Sequence, residues 1–327
     1  MGSGRGLAQL AQHAAAWGES LLYLLVLLSL VRLMPYRYWR WTHKLMGIPF
    51  AFASWHFFTS EKPYANVSAW GWWFGVFMIA GIAAYLARVV IRDAVAPGVP
   101  YRVVGVEHTA MVTELVMEPA GQRALRHRPG QFAFIKLNQP GLREPHAFSI
   151  ASPPTDRHLR FIIRDLGDWT RRLRTVELVG ADVHVEGPYG RFRPLGARPR
   201  PTIWIAGGVG ITPFLSAIDG IPSGDSAPHL FYAVRSREDA PGLDELEEAE
   251  RQGRLHLHVY PSAEGRRLTP DELQAAFGEG GLAGHHVALC GPHGLVQVIE
   301  DKARGLGARR IHHEGFDMRR GVGPELD

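Results

Sequence analysis

A chain of 327 residues is too long for one ordinary domain, so two or three are expected. Its single cysteine, Cys290, excludes an internal disulfide, a four-cysteine zinc site and a plant-type iron–sulfur domain, which needs four thiolates. The net charge of +4 comes with no basic patch interleaved with aromatics, so nucleic acid is not an expected partner.

Residues 17–34 and 70–91 are almost free of charge, whereas 97–327 read like a soluble protein. A membrane part over residues 1–96 is therefore predicted, with three transmembrane helices at about 17–34, 41–58 and 70–91. The first reaches spanning length only marginally. A signal peptide is the competing reading, but its apolar run ends in Arg32-Leu-Met-Pro-Tyr-Arg37 and not in a small-residue cleavage site. Arg32, Arg37, Arg40 and Lys44 surround one loop, Arg88 and Arg92 end the last apolar segment, and Lys62 is the only basic residue of the opposite loop. That asymmetry predicts a multi-pass protein of the cell inner membrane, N-terminus outside and C-terminal domains cytoplasmic.

Two histidines in the second segment, His43 and His56, are candidate metal ligands, because imidazole is a natural axial ligand of haem iron. On one helix their spacing places them roughly 20 Å apart, enough for one haem near each leaflet, but about 140° apart around the axis. Gly47 and Pro49 lie between them and offer a kink. The alternative is an interfacial His43 beside Lys44 and no haem.

The Pro/Gly stretch over 94–100 reads as a linker. Short β-branched runs follow at 101–106, 113–118, 131–137, 159–163 and 182–186, which predict an antiparallel β-barrel over residues 97–199. Within it lies His146-Ala-Phe-Ser149. Phe148 is suited to stack on a flavin, the Ser149 hydroxyl to reach polar ring or ribitol atoms, and Arg143 or His146 to face phosphate. Gly167-Asp-Trp-Thr170, before a helix predicted over 171–179, offers N–H groups for a pyrophosphate. For His146 or Ser149 taken singly, an ordinary strand with a polar edge is the blander reading.

From residue 200 the pattern becomes strand–helix alternation, with strands at 202–206, 229–234, 255–260 and 287–289 and a charged helix over 243–252. That predicts an α/β Rossmann-like NAD(P)-binding domain over residues 200–327. Gly207-Gly-Val-Gly210, with Thr212 and Pro213 after it, follows the first strand and opens its helix, where glycines let backbone approach a pyrophosphate. Arg235 and Arg237 follow the second strand, where a 2′-phosphate would be read; solvated loop charges are the alternative, so NADPH and NADH both stay open. Cys290 ends the last strand and is either beside the nicotinamide or a small buried hydrophobe.

His146-Ala-Phe-Ser149, Gly187-Pro-Tyr-Gly190, Gly207-Gly-Val-Gly-Ile-Thr-Pro213, Cys290-Gly-Pro292 and Glu314-Gly-Phe316 occur in this order. Residues 97–327 thereby resemble the ferredoxin-NADP reductase superfamily, and the membrane part resembles its ferric reductase and NADPH oxidase branch. Ala147 stands where that branch has proline. The resemblance implies an NAD(P)H-dependent FAD oxidoreductase, ferric reductase-like, with FAD on the barrel and hydride passing to it from NAD(P)H. It implies catalytic roles for Ser149, Cys290 and Phe316, the last covering the flavin, and cofactor contacts at Trp169, Thr170, Gly187, Tyr189, Gly208, Gly291 and Pro292. In the family electrons continue to two haem b groups and on to ferric iron or dioxygen. Three helices with a second histidine pair have no counterpart here, which leaves a fragment, a histidine-bearing partner subunit or a haem-free reductase as expectations. A cytochrome b-like electron-transfer subunit is the remaining alternative.

Overall fold

The computed structural model describes residues 2–30, 42–59, 68–91, 98–196, 201–224, 227–278 and 281–316. It separates into two compact units, one within residues 1–97 and one over residues 98–317.

The first unit is helical: α1 (Gly2–Leu30), α2 (Gly47–Thr59) and α3 (Ala69–Leu86), the last continuing into a π-helical turn, Ala87–Ile91. Glycines set how closely the helices approach. A Cβ on Gly18 would lie 3.0 Å from Phe52, and one on Gly81 would lie 2.7 Å from the Phe50 ring. Ser68 caps α3 by accepting from the Gly71 N–H at 3.1 Å. Stretches Gln12–Leu30 and Ala69–Val89 are long and apolar enough to cross a membrane by length and composition.

The second predicted span is corrected by the structure. Residues 42–44 are helical, Leu45 and Met46 form a turn, and α2 begins only at Gly47. Tight bonds carry the turn, with Met46 N–H donating to His43 O at 3.2 Å and Ile48 N–H to Leu45 O at 3.0 Å. Pro49, without an N–H, fits the first turn of a helix and not its interior. Tyr85 packs against Gly47 too closely for any side chain there, and its hydroxyl donates to Lys44 O at 2.9 Å. His43 and His56 therefore do not share one helix. At 13 residues α2 is ~20 Å long, short of a ~30 Å bilayer core.

The second unit opens with six strands: β1 (Val99–His108), β2 (Val112–Pro119), β3 (Phe132–Leu137), β4 (His146–Ser149), β5 (Leu159–Arg164) and β6 (Asp182–Tyr189). They pair antiparallel in the order β4-β3-β6-β1-β2-β5, and a bridge between Ile150 and Phe161 nearly closes the barrel. Alternation drives it: Tyr101, Leu115, Ile135, Phe161 and Val183 point inward and are fully buried. A short helix, α4 (Asp168–Arg172), lies between β5 and β6. The helix expected over 171–179 is thus earlier and shorter. Beyond Arg172 the chain runs through turns, and Arg174 reaches back to Thr109 O at 2.7 Å.

Five parallel strands follow: β7 (Thr202–Gly207), β8 (His229–Val234), β9 (His256–Pro261), β10 (His286–Pro292) and β11 (Arg310–Phe316). Helices α5 (Thr212–Ile218), α6 (Leu243–Arg251), α7 (Pro270–Phe277) and α8 (His293–Gly305) connect them. The order is β11-β10-β7-β8-β9, so chain direction across the sheet reverses between β7 and β10. Both faces are covered, which is why β7 and β10 are near-continuously buried. Barrel and sheet are joined within this unit. Arg160 on β5 pairs with Glu114 at 3.0 Å and with Glu245 of α6 at 2.7 Å, and Ser216 of α5 donates to Ser152 O at 2.7 Å.

At the amino ends of β8 and β9 three imidazoles stack. His229 lies 4.6 Å from His256 and 5.6 Å from His258, and one ring nitrogen of His229 shares a hydrogen bond with His258 at 3.2 Å. Burial, then the neighbouring imidazoles, push His229 down to about 4; burial also lowers His258 and His127. A histidine whose folded-state pKa is depressed gives stability that is complete above its unfolded value near ~6.5 and is lost as pH falls below it. The denaturation midpoint should therefore fall between pH 7 and pH 4.5, and His229→Gln should flatten that slope. An equal midpoint at both pH values would refute this.

Candidate flavin and nucleotide site

The reversal between β7 and β10 creates a crevice outside their carboxyl ends, where ligands of open α/β sheets bind. The glycines there answer to the packing of these two strands. A Cβ on Gly207 would lie 2.7 Å from Pro292 Cδ, one on Gly291 would lie 3.0 Å from Gly207 N, and one on Gly210 would overlap the Cys290 carbonyl. Gly208 is different: its φ is +54° and the space beside it is open.

A cleft of about 410 Å³ covers these ends and is lined by Gly207, Gly208, Arg235, Pro292, Arg267 and Ser262 among others. It brings together four of the residues expected from the sequence. Gly210, Thr212, Pro213, Cys290 and Gly291 stand behind its wall. The Thr212 hydroxyl donates to Val209 O at 3.0 Å, so it holds the turn into α5. Of the two arginines after β8, Arg237 is paired with Glu247, while Arg235 forms no ion pair with a described residue. Arg267 and Ser262, which follow β9, were missed from sequence. Their signal was position, just beyond the end of the third strand beside a cleft formed by the second.

Cys290 is 1% exposed, and its β11 neighbour in register is Glu314. Burial, then the nearby Glu314, pushes the thiol well up, so Cys290 is a neutral thiol at pH 7 and not a nucleophile. Burial also raises Glu314, and its Oε2 is buried without a hydrogen-bond partner. A half-buried carboxyl beside the expected nicotinamide position was also missed from sequence. Phe316 holds the last register position of β11, opposite Pro292; its side chain lies outside the described part of the structure.

On the barrel, β4 carries the flavin motif. Successive residues of a strand face opposite sides, so His146 and Phe148 share one face and Ser149 the other. His146 and Phe148 stack with Trp169, at 4.5 and 5.6 Å between ring centroids. Phe148 and Ser149 therefore meet one ring system only where it lies across the end of β4. On the Ser149 side Phe132 pairs with Ser149 and Tyr189, and the rings of Phe132, Phe134 and Tyr189 cluster within 5.7–5.9 Å of one another. Phe132 and Phe134 were not expected from sequence. Tyr189 donates to Glu186 at 2.5 Å, and a Cβ on Gly187 would lie 3.1 Å from Ala133 Cβ. Arg143 is exposed in the loop before β4.

The loop at 166–170 differs from the expected open anion site. Thr170 Oγ1 accepts from the N–H groups of Leu166 and Gly167, both at 2.9 Å, so these donors are already satisfied. The Trp169 indole N–H, in contrast, is buried and unpartnered. An orphaned donor amid stacked aromatic rings fits a flavin with polar ring and ribitol atoms. Among the described residues no group of three or more His, Cys, Asp or Glu forms a metal site.

Residues 106–193 match the model of an FAD-binding domain, and residues 204–301 that of an oxidoreductase NAD-binding domain. Ferredoxin–NADP reductase B of Sorangium cellulosum is 31% identical over 226 residues, 63% of this chain and 92% of that protein. The chain belongs to the ferredoxin-NADP reductase superfamily. The electron transfer component of 2-halobenzoate 1,2-dioxygenase from Burkholderia cepacia is 30% identical over 58% of this chain, which spans only 57% of that relative. Among structures, the FAD/NAD-binding domain of nitric oxide dioxygenase from Vibrio cholerae superposes with a TM-score of 0.58 at 26% identity, over 67% of this chain and 98% of that one. The superfamily expected from the motifs is thus shown, and the chain is an FAD- and NAD(P)H-dependent oxidoreductase. The ferric reductase and NADPH oxidase branch is not what these relatives represent.

Gly210→Ala, which drives a methyl into the Cys290 carbonyl, should destabilise this reductase by about 1–3 kcal/mol. Gly294→Ala in α8, where nothing lies within 4 Å, should be neutral or slightly stabilising. Denaturant titration of both variants decides; equal effects would mean that the β7–β10 approach is not a constraint.

Proposed function

We propose that this chain is a reductase component that takes hydride from NADPH and passes electrons singly to an acceptor on another protein. The observation that carries the reading is the cleft at the β7–β10 crossover, where the open backbone at Gly208 stands beside unpaired Arg235 and Arg267. Backbone at Gly207 and Gly208 takes the pyrophosphate, and the two guanidinium groups take a 2′-phosphate bidentately. His146, Phe148, Ser149 and Trp169 hold FAD on the barrel, and Glu314 places a carboxyl next to Cys290. FAD, when bound, accepts a hydride pair and releases it as single electrons. Separate acceptors are supported by the relatives, which include electron transfer components of dioxygenases. One cysteine in 327 residues also leaves no set of thiolates for an iron–sulfur carrier of its own.

Attachment to a membrane, with the reductase unit on the cytoplasmic side, belongs to the same proposal and rests on α1, α3 and the distribution of arginines. The route through haem b to ferric iron or dioxygen has less behind it. Of the three histidines before residue 97, His13 and His43 are exposed and only His56 is half-buried, its Nδ1 unpartnered. One imidazole does not fit a bis-histidine haem. Its second ligand would come from a histidine-bearing partner subunit.

The purified chain should be yellow and reduce ferricyanide with NADPH. Phe148→Ala combined with Ser149→Ala should strip the flavin; full retention of colour would refute the flavin assignment. Arg235→Ala with Arg267→Ala should raise KM for NADPH about tenfold or more while leaving kcat and the KM for NADH nearly unchanged. Equal losses with both nucleotides would show that these arginines do not read a 2′-phosphate.

A further inference from the structure

A second and larger cleft, about 790 Å³, lies at the opposite end of β10 from the nucleotide crevice. Three segments wall it: the loop at 128–131, the stretch at 190–196, and the amino ends of β10 and β11. Arg128, Arg191, Arg193 and Arg310 line it together with His286 and His312, and no carboxylate is among its lining residues.

The charge is unbalanced and the wall is built. Some arginines of this unit have carboxylate partners, as in Arg102–Asp182, Arg160–Glu114, Arg254–Asp219 and Arg304–Glu300. None of the four cleft arginines forms an ion pair with a described residue. Gly130, at φ +88°, packs so tightly on the Phe192 carbonyl that no side chain fits between the loop and the linker. At Gly196, with φ +69°, an added Cβ would lie 3.2 Å from the His286 ring, and His286 shares a hydrogen bond with Arg193 O at 3.1 Å. In register, His286 pairs with Arg310 and Ala288 with His312, so His286 and His312 stand on one face with rings 5.1 Å apart. Burial first, then Arg193 hydrogen bonding and the charges of His312 and Arg310, set the His286 pKa, which ends lowered. Fixed backbone thus gathers guanidinium groups into a concavity of the size that holds a small ligand.

We propose that this cleft is an anion site, separate from the NADPH cleft, for a phosphate-bearing ligand held bidentately by guanidinium groups. Arginine forks match phosphate oxygens in geometry and charge, and a bound anion relieves the mutual repulsion that convergence of four guanidinium groups creates. The phosphate belongs either to a soluble phosphorylated molecule or to an anionic lipid headgroup, since the chemistry recognised is the same.

Calorimetric titration of the full FAD-loaded chain in neutral detergent, with inorganic pyrophosphate and separately with short-chain phosphatidylglycerol, tests the site. Arg193→Gln with Arg310→Gln should weaken binding of at least one probe by about tenfold or more, while flavin content and KM for NADPH stay unchanged. The lysine double variant, which keeps charge and loses the fork, should fall between. Loss confined to pyrophosphate identifies a soluble ligand, and loss confined to the lipid identifies a headgroup. The proposal is overturned if neither probe binds, if the glutamine variant binds both as the wild type does, or if only Arg235→Ala removes pyrophosphate binding.

Discussion

The close approach of two strand ends organises this reductase. Where β7 and β10 lie side by side, a Cβ on Gly291 would come within 3.0 Å of the Gly207 nitrogen, and Gly210 leaves no room even for a methyl group against Cys290. Parallel strands flanking a crossover diverge beyond their carboxyl ends, so a tight approach here leaves an open crevice immediately above it. Gly207, Gly208 and Pro292, at or beside that contact, line the cleft. The same register carries Glu314 to Cys290, because β11 is added in step with β10. One packing constraint thus positions both the open backbone at Gly208 and the half-buried Glu314.

Much of this was legible in the sequence because strand burial is periodic. Every predicted strand of the barrel and sheet is present to within a few residues, since inward positions such as Tyr101, Leu115 and Val183 alternate with exposed ones. Motifs at strand ends were legible for a similar reason, as glycines there have no packing role except close approach. What the sequence hid was direction and pairing. Phe148 and Ser149 are adjacent in sequence and face opposite sides of β4, a consequence of the pleat that a motif does not display. Arg235 and Arg237 looked equivalent until Glu247, ten residues on, was seen to take one of them. Thr170 resembles an anion-site residue, yet its hydroxyl serves its own backbone.

The second predicted span shows why a hydropathy reading overreached. Residues 41–58 are apolar enough to look like one helix, but periodicity does not report where a helix begins. Gly47 accommodates a tyrosine ring from α3, Pro49 has no N–H for an interior turn, and both features place the start of α2 after His43. The thirteen-residue histidine spacing, which suggested a double ligand set, therefore measures distance across a break.

Unpaired arginines carry the last step. Leaving a guanidinium without a carboxylate costs little at an open surface, but converging several on one concavity raises their mutual repulsion as the local dielectric falls. Three such groups, Arg164, Arg235 and Arg267, line the nucleotide cleft, and four line the cleft at the other end of β10. In the first the backbone already offers an anion cradle, so the charge has an evident purpose. In the second, rigid glycine contacts at Gly130 and Gly196 hold the arginine-bearing segments together against the same repulsion. Arginines along α6 and α8 pair with glutamates, whereas these two clusters line concavities without a carboxylate partner among the described residues, which is the charge pattern the proposed anion sites require.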